Sequence, residues 1–240
     1  MWNGVYNRLA KFLFHVGLFQ SAALLINSLL MFLVLWRFQR EKMERFRWPK
    51  LGYRWIVIGA VISYDLYPIY SGAPMPTKSI GYFLTTALMA LAIGLNEELF
   101  SRGFIYNLFE RRGSWVTFWV SSTSFGALHF LNLFYGHSAV MTLYQAVHAL
   151  GGGFIFAGLL LYGKTIWIPV IYHALNDFPL LQMESRAGDS MPMDWGLLGN
   201  ISMDALFALI IGASLHYFAT DRREELKALL LRFKLVEVES

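Results

Sequence analysis

Long apolar segments, each with too few polar residues to give one helix face a contrasting character, constrain this chain more than anything else in it. Stretches such as "FLFHVGLFQSAALLINSLLMFLVLW" and "YFLTTALMALAIG" are greasy on every side. A helix that is apolar all round must be hidden in a large core or immersed in lipid. With 56% hydrophobic and only 15% charged residues over 240 positions, and a mean hydropathy of +0.46, a water-soluble domain has too little polar surface to cover them. The expected fold class is therefore all-α, a polytopic transmembrane helix bundle forming one integral-membrane domain over residues 1–240.

Candidate spans run over residues 12–36, 55–71, 81–108, 115–135, 139–162, 166–182 and 197–219. That gives seven passes. The first is longer than a signal-peptide core and lacks a small-residue cleavage site after it, so it is expected to stay attached. The break "RFQREKMERFRWPKLGYR" carries seven Lys or Arg side chains and marks the first loop as cytoplasmic. Arg111, Arg112, Lys164 and the tail over 220–240, read as an amphipathic surface helix, fall on the same side. "SGAPMPTK", "YGHS" and "MESRAGDSMPMD" fall outside, and the N-terminus with them. Arg8 and Lys11 run against that, which leaves room for an eighth short or re-entrant segment.

The net charge of +4 is gathered beside hydrophobic segments, where lipid headgroups account for it, and nucleic acid is not an expected partner. There is no cysteine, hence no disulfide, thiolate metal site or cysteine nucleophile.

Against this background a few polar residues stand out, since ionisable groups inside a membrane are costly and mark functional sites. At the end of the third span "GLNEELFSRG" places Glu98 and Arg102 four residues apart on one helical face, close enough to pair. Glu97 is left as the free carboxylate, a usable general base; the plainer alternative is that the triplet ties helices together or snorkels to the interface. In the fourth span His129 follows Phe125 by one turn. In the sixth, "IWIPVIYHALNDFPLL", His173 and Asp177 share a face with Asn176 at its edge. At about 1.5 Å per residue, Glu97, His129 and His173 lie roughly 12 to 21 Å in from the cytoplasmic ends, so one polar layer is expected. His148, before "ALGGG", either reaches the same cavity or, on the plainer reading, hydrogen-bonds a neighbouring helix, and it is left out of the catalytic set; His15, His137 and His216 have no supporting pattern.

The runs "EELFSRG", "FGALH" and "HALND" correspond to EExxxR, FxxxH and HxxxN-or-D motifs in that order, over about residues 94–180. In them the chain resembles the CAAX-protease and bacteriocin-processing intramembrane proteases, the Abi family, which includes the type II CAAX prenyl endopeptidases. The resemblance implies an intramembrane peptide hydrolase with a motif-bearing core over about 81–182. Glu97 would activate water, supported by Glu98 and Arg102; His129 would assist at the scissile carbonyl, and His173 and Asp177 would complete the site. Asn176 or Phe125 would border the oxyanion or the substrate. An aspartate in the last motif position is a departure, because a carboxylate cannot donate to an oxyanion unless protonated.

Two mechanisms stay open at this point. Glu97, His129, His173 and Asp177 are the candidate ligands of a divalent ion such as zinc, or no metal is bound and Glu97 deprotonates water directly. Expected partners are membrane lipids and a lipidated or membrane-tethered peptide substrate entering from the cytoplasmic side. HExxH and GxSxG are absent, and "SYDLYP" at Asp65 lacks the GxGD partner of an aspartyl protease, so Asp65 and Asp204 read as helix-contact groups. The rival reading is a transporter or cation pathway, against which the seven spans show no paired halves.

Overall fold

The computed structural model describes residues 2–48, 50, 52–72, 80–183 and 193–219. Among these the chain is helical and contains no strand: α1 (Trp2–Phe38), a 3-10 segment (Arg40–Phe46), α2 (Arg54–Gly72), α3 (Ile80–Glu98), a π-helical segment (Leu99–Ile105), α4 (Tyr106–Phe109), a 3-10 turn (Glu110–Arg112), α5 (Ser114–Leu128), a second 3-10 segment (His129–Tyr135), α6 (Ala139–Gly163), α7 (Trp167–Met183) and α8 (Trp195–Ala219). Each expected span coincides with a helical segment. Four runs are long and apolar enough to cross a membrane: Gly17–Phe38, Ile80–Arg112, Ala139–Gly163 and Trp195–Ala219. Among the described residues these four are supported as spans by length and composition. α5 and α7, 15 and 17 residues long, are by themselves shorter, at about 1.5 Å of rise per residue, than a hydrocarbon layer about 30 Å thick, and of α2 only Arg54–Tyr64 is a shorter apolar helix. The amphipathic tail expected over 220–240 lies outside the described residues.

Packing follows small side chains. On α1 the buried positions Ser21, Ser28 and Leu35 recur every seven residues and face α3, where Asn96 donates to Ser28 Oγ at 3.3 Å. α6 is the central helix, continuously buried from Gly153 to Leu160, with α5 and α8 against it. Its contact with α8 is backbone on backbone: a Cβ added at Gly212 would sit 2.2 Å from the Phe154 carbonyl oxygen. Gly212→Ala is accordingly expected to lower stability by about 1–3 kcal/mol, the usual cost of overpacking, measured as a fall in melting temperature in detergent. A second close approach brings α3 to α7, where a Cβ at Gly94 would lie 2.9 Å from Val170 O.

The two ends of the bundle differ. At one end the first basic break is not a loose loop: its 3-10 segment folds back under the helices. Arg45 bonds Asn107 and Glu110, Lys42 pairs with Glu110, and Ile166 N donates to Arg45 O at 2.8 Å. Trp167 Nε1 donates to Phe46 O at 2.9 Å, and Arg54 reaches Tyr162 O at 3.1 Å. The breaks after α1, α4 and α6 thus share this cationic end, and Thr165 and Ile166 are buried by the lid over them. At the far end α6 and α8 are tied by Tyr144 to the backbone of Asp194, but Phe134, Tyr135 and Trp195 are exposed and none of His129–Tyr135 is buried.

Candidate active site

The site starts from a defect in a helix. After Glu98 the hydrogen bonds widen to five residues, so that Tyr106 N reaches Ser101 O, which also accepts from Ser121 Oγ at 3.1 Å. Such π turns cluster at functional positions. This one holds Arg102, fully buried, in the middle of the bundle.

Arg102 bonds through both of its Nη atoms and packs against two aromatic rings. Nη1 donates to Glu98 Oε1 at 3.0 Å and Nη2 to Gly153 O at 2.9 Å, while the guanidinium lies 4.6 Å from the Phe125 ring and 5.2 Å from that of Phe156. The planar, weakly hydrated guanidinium suits a position against this edge-to-face pair of rings. Glu98 is equally buried, and the same Oε1 stands 3.1 Å from His173 Nδ1. The ring of His173 stacks on Phe156 at 4.9 Å and meets Phe125 edge-on at 5.6 Å. Arg102 therefore fixes Glu98, and Glu98 with two aromatic rings fixes His173. Phe125, expected only to border the substrate, packs against both Arg102 and His173.

The other nitrogen of His173, Nε2, faces two further carboxylates. Asp177 Oδ2 is 3.4 Å away and Glu97 Oε2 3.8 Å, with Glu97 one-third exposed. His129 Nδ1 lies 3.0 Å from Phe125 O. Because a carbonyl only accepts, this nitrogen carries the proton and a neutral ring presents the lone pair of Nε2.

Two adjoining cavities share Phe125 and His129 as a common wall. One, about 210 Å³, is lined by His173, Asn176, Asp177, Gln145 and His148. The other, about 330 Å³, is lined by Glu97, Asn96, Ser101 and Asn132. All the residues singled out by motif thus come together in one layer. Asp204 is exposed on α8, and the Asp65 side chain lies outside what the structure describes. His148 stands in the cavity wall rather than between helices. Asn132 and Gln145, joined by a 3.0 Å bond across the partition, were not singled out by sequence; the available signal was simply an amide inside an apolar segment.

Among the described residues, no three His, Cys, Asp or Glu side chains converge as metal ligands do. Glu97, His129, His173 and Asp177 are not gathered round one point as they stand.

The apolar helices make this an integral membrane protein. No curated protein and no solved structure matches the chain. Residues 79–179, which carry every side chain of the motif set, match the family model described as Type II CAAX prenyl endopeptidase Rce1-like, so that this stretch is similar to a family of membrane-associated peptidases.

Proposed function

We propose that the protein is an intramembrane endopeptidase that hydrolyses a peptide bond of a membrane-tethered or lipidated substrate, with water activated by Glu97. The observation that carries this reading is the division of labour between adjacent carboxylates: Glu98 is locked by Arg102, while Glu97 faces a cavity beside two histidines. A base must reach water, and only Glu97 of the pair does.

The chemistry divides as follows. Glu97 takes a proton from water in the larger cavity as the oxygen attacks the scissile carbonyl carbon. His129, whose free nitrogen is an acceptor, holds the second proton of that water. Negative charge builds on the carbonyl oxygen, and His173 Nε2–H is the donor beside it, shared with Asp177; the amide of Asn176 lies one turn on in the same cavity wall. Asp177 therefore orients His173 rather than serving the oxyanion itself. As the C–N bond breaks, the proton held on Glu97 passes to the leaving nitrogen; the second water proton leaves the new carboxyl group through His129 and reaches the freed amine, so that a carboxylate and an ammonium depart.

The test is cleavage of a library of free and lipidated peptides by detergent-purified protein, with and without chelator. Wild type is expected to cleave, and His173→Ala to lose about 10²–10³-fold in kcat, the usual cost of an oxyanion donor. Activity unchanged by chelator supports water activation by Glu97, and activity abolished by it moves that step to a metal ion. Metal uptake into vesicles with no peptide cleaved would replace the enzyme by a transporter.

A further inference from the structure

We propose that the catalytic cavities open at the end of the bundle opposite the cationic belt, on the extracytoplasmic side, and that the substrate is an extended extracytoplasmic segment of a membrane-tethered protein. This rests on the peptidase reading above and deepens it; counting along the sequence pointed to entry from the cytoplasmic side.

Three observations carry it. First, the cationic side of the site is closed. Leu99, Arg102, Tyr106, Ile166 and Val170 are at most 2% exposed and form a continuous floor, with the folded-back 3-10 segment beneath.

Second, the cavities extend the other way. Beyond His173 the wall of the smaller one runs through Asp177 to Leu180 and Leu181 near the end of α7, and through His148 to Gln145 near the start of α6. Gln145 is six residues from the first residue of α6, about 9 Å of helix rise. The larger cavity reaches Leu131 and Asn132, on the 3-10 segment that has no buried residue.

Third, charge is uneven between the ends, with Arg8 and Lys11 near the start of α1 the basic residues at the far end among those described. Among the described residues of the segments lining the cavities, from Ile80 to Ser101, from Ser114 to Gly163 and from Trp167 to Met183, there is no Lys or Arg, whereas the closed end gathers Arg45, Arg54, Arg111 and Arg112. An excess of Lys and Arg in short loops marks the cytoplasmic side. The mouth then faces away from the cytoplasm.

The mouth also indicates what it takes. Asn132 and Gln145 present amide donors and acceptors from either side of the partition, with His148 one turn from Gln145. Neutral amides suit the N–H and C=O groups of an extended backbone, not a charged headgroup or side chain.

The chain has no cysteine, so single cysteines can report on it directly. In spheroplasts of an expression host, a membrane-impermeant maleimide is expected to label His137→Cys at the far end and Gln145→Cys or Leu181→Cys in the cavity wall. Arg111→Cys should label only after permeabilisation. Labelling of Arg111→Cys but not His137→Cys in intact spheroplasts overturns the proposal. So does a cavity wall in which neither cysteine is labelled from the His137 side. Quenched peptides added to sealed proteoliposomes give the functional counterpart: cleavage confined to vesicles with the His137 end outward supports the proposal, and cleavage confined to the reverse orientation overturns it while leaving the peptidase intact. If detergent-purified wild type cleaves nothing, it is the peptidase reading that falls, and labelling still reports where the mouth faces.

Discussion

Glu97→Gln is expected to yield a folded protein with almost no peptide hydrolysis. Replacing the carboxylate by an amide of the same shape leaves the cavity lining and the neighbouring ion pair of Glu98 with Arg102 in place, so the loss falls on the chemical step. General-base catalysis contributes about 10²–10⁴-fold, and kcat should drop by at least that factor with KM little changed. The melting temperature in detergent should stay within a degree or two of wild type, because a one-third exposed carboxylate leaves no buried charge behind when it is replaced. A variant that retains full activity would move the base elsewhere, and His129 is the next acceptor in reach of the same cavity.

Arg102 should behave in the opposite way. Arg102→Ala leaves the buried Glu98 carboxylate with His173 as its remaining partner, removes a donor from Gly153 O and opens a void beside Phe125 and Phe156. Breaking a buried pair from one side costs about 3–5 kcal/mol, enough to unfold much of a marginally stable protein. Arg102→Lys is expected to recover only part of this, since an ammonium lacks the planar fork that bonds Glu98 and Gly153 at once and the delocalised surface that packs on the rings. The double variant Glu98→Gln with Arg102→Met should be more stable than Arg102→Ala alone, as it leaves no orphaned charge. Thermal unfolding of the four proteins in one detergent decides this; equal melting temperatures for Arg102→Ala and wild type would contradict it.

These two residues also show what a linear reading can and cannot reach. The pairing of Glu98 with Arg102 and that of His173 with Asp177 follow from four-residue spacing alone, since on a helix that spacing is contact. The helical segments follow from composition for the same local reason. What was not legible depends on pieces far apart in the chain. Gly153 O becomes a ligand of Arg102 only because α5 and α6 cross there. The basic break after α1 reads as a loop because its charge is conspicuous and its bonds to Asn107, Glu110 and Ile166 are not. Counting inward from the basic ends treats them as water-facing, and it could not show that Thr165 and Ile166 are covered by the folded-back segment.

The wide turn at Leu99–Ile105 has an effect on how the chain can change over time. Each residue of an ordinary helix rotates the next by about 100°, and the extra residue of a π turn takes up one such step. The helix above the turn aims Glu97 and Glu98 at α7, and the helix below aims Tyr106 into the floor, so the two halves are clocked separately. Removing a single residue here would mend every backbone bond yet swing one half through more than a quarter revolution against the other. Any search for a single unbroken helical rhythm from Glu97 to Arg112 will therefore lose the beat at Leu99.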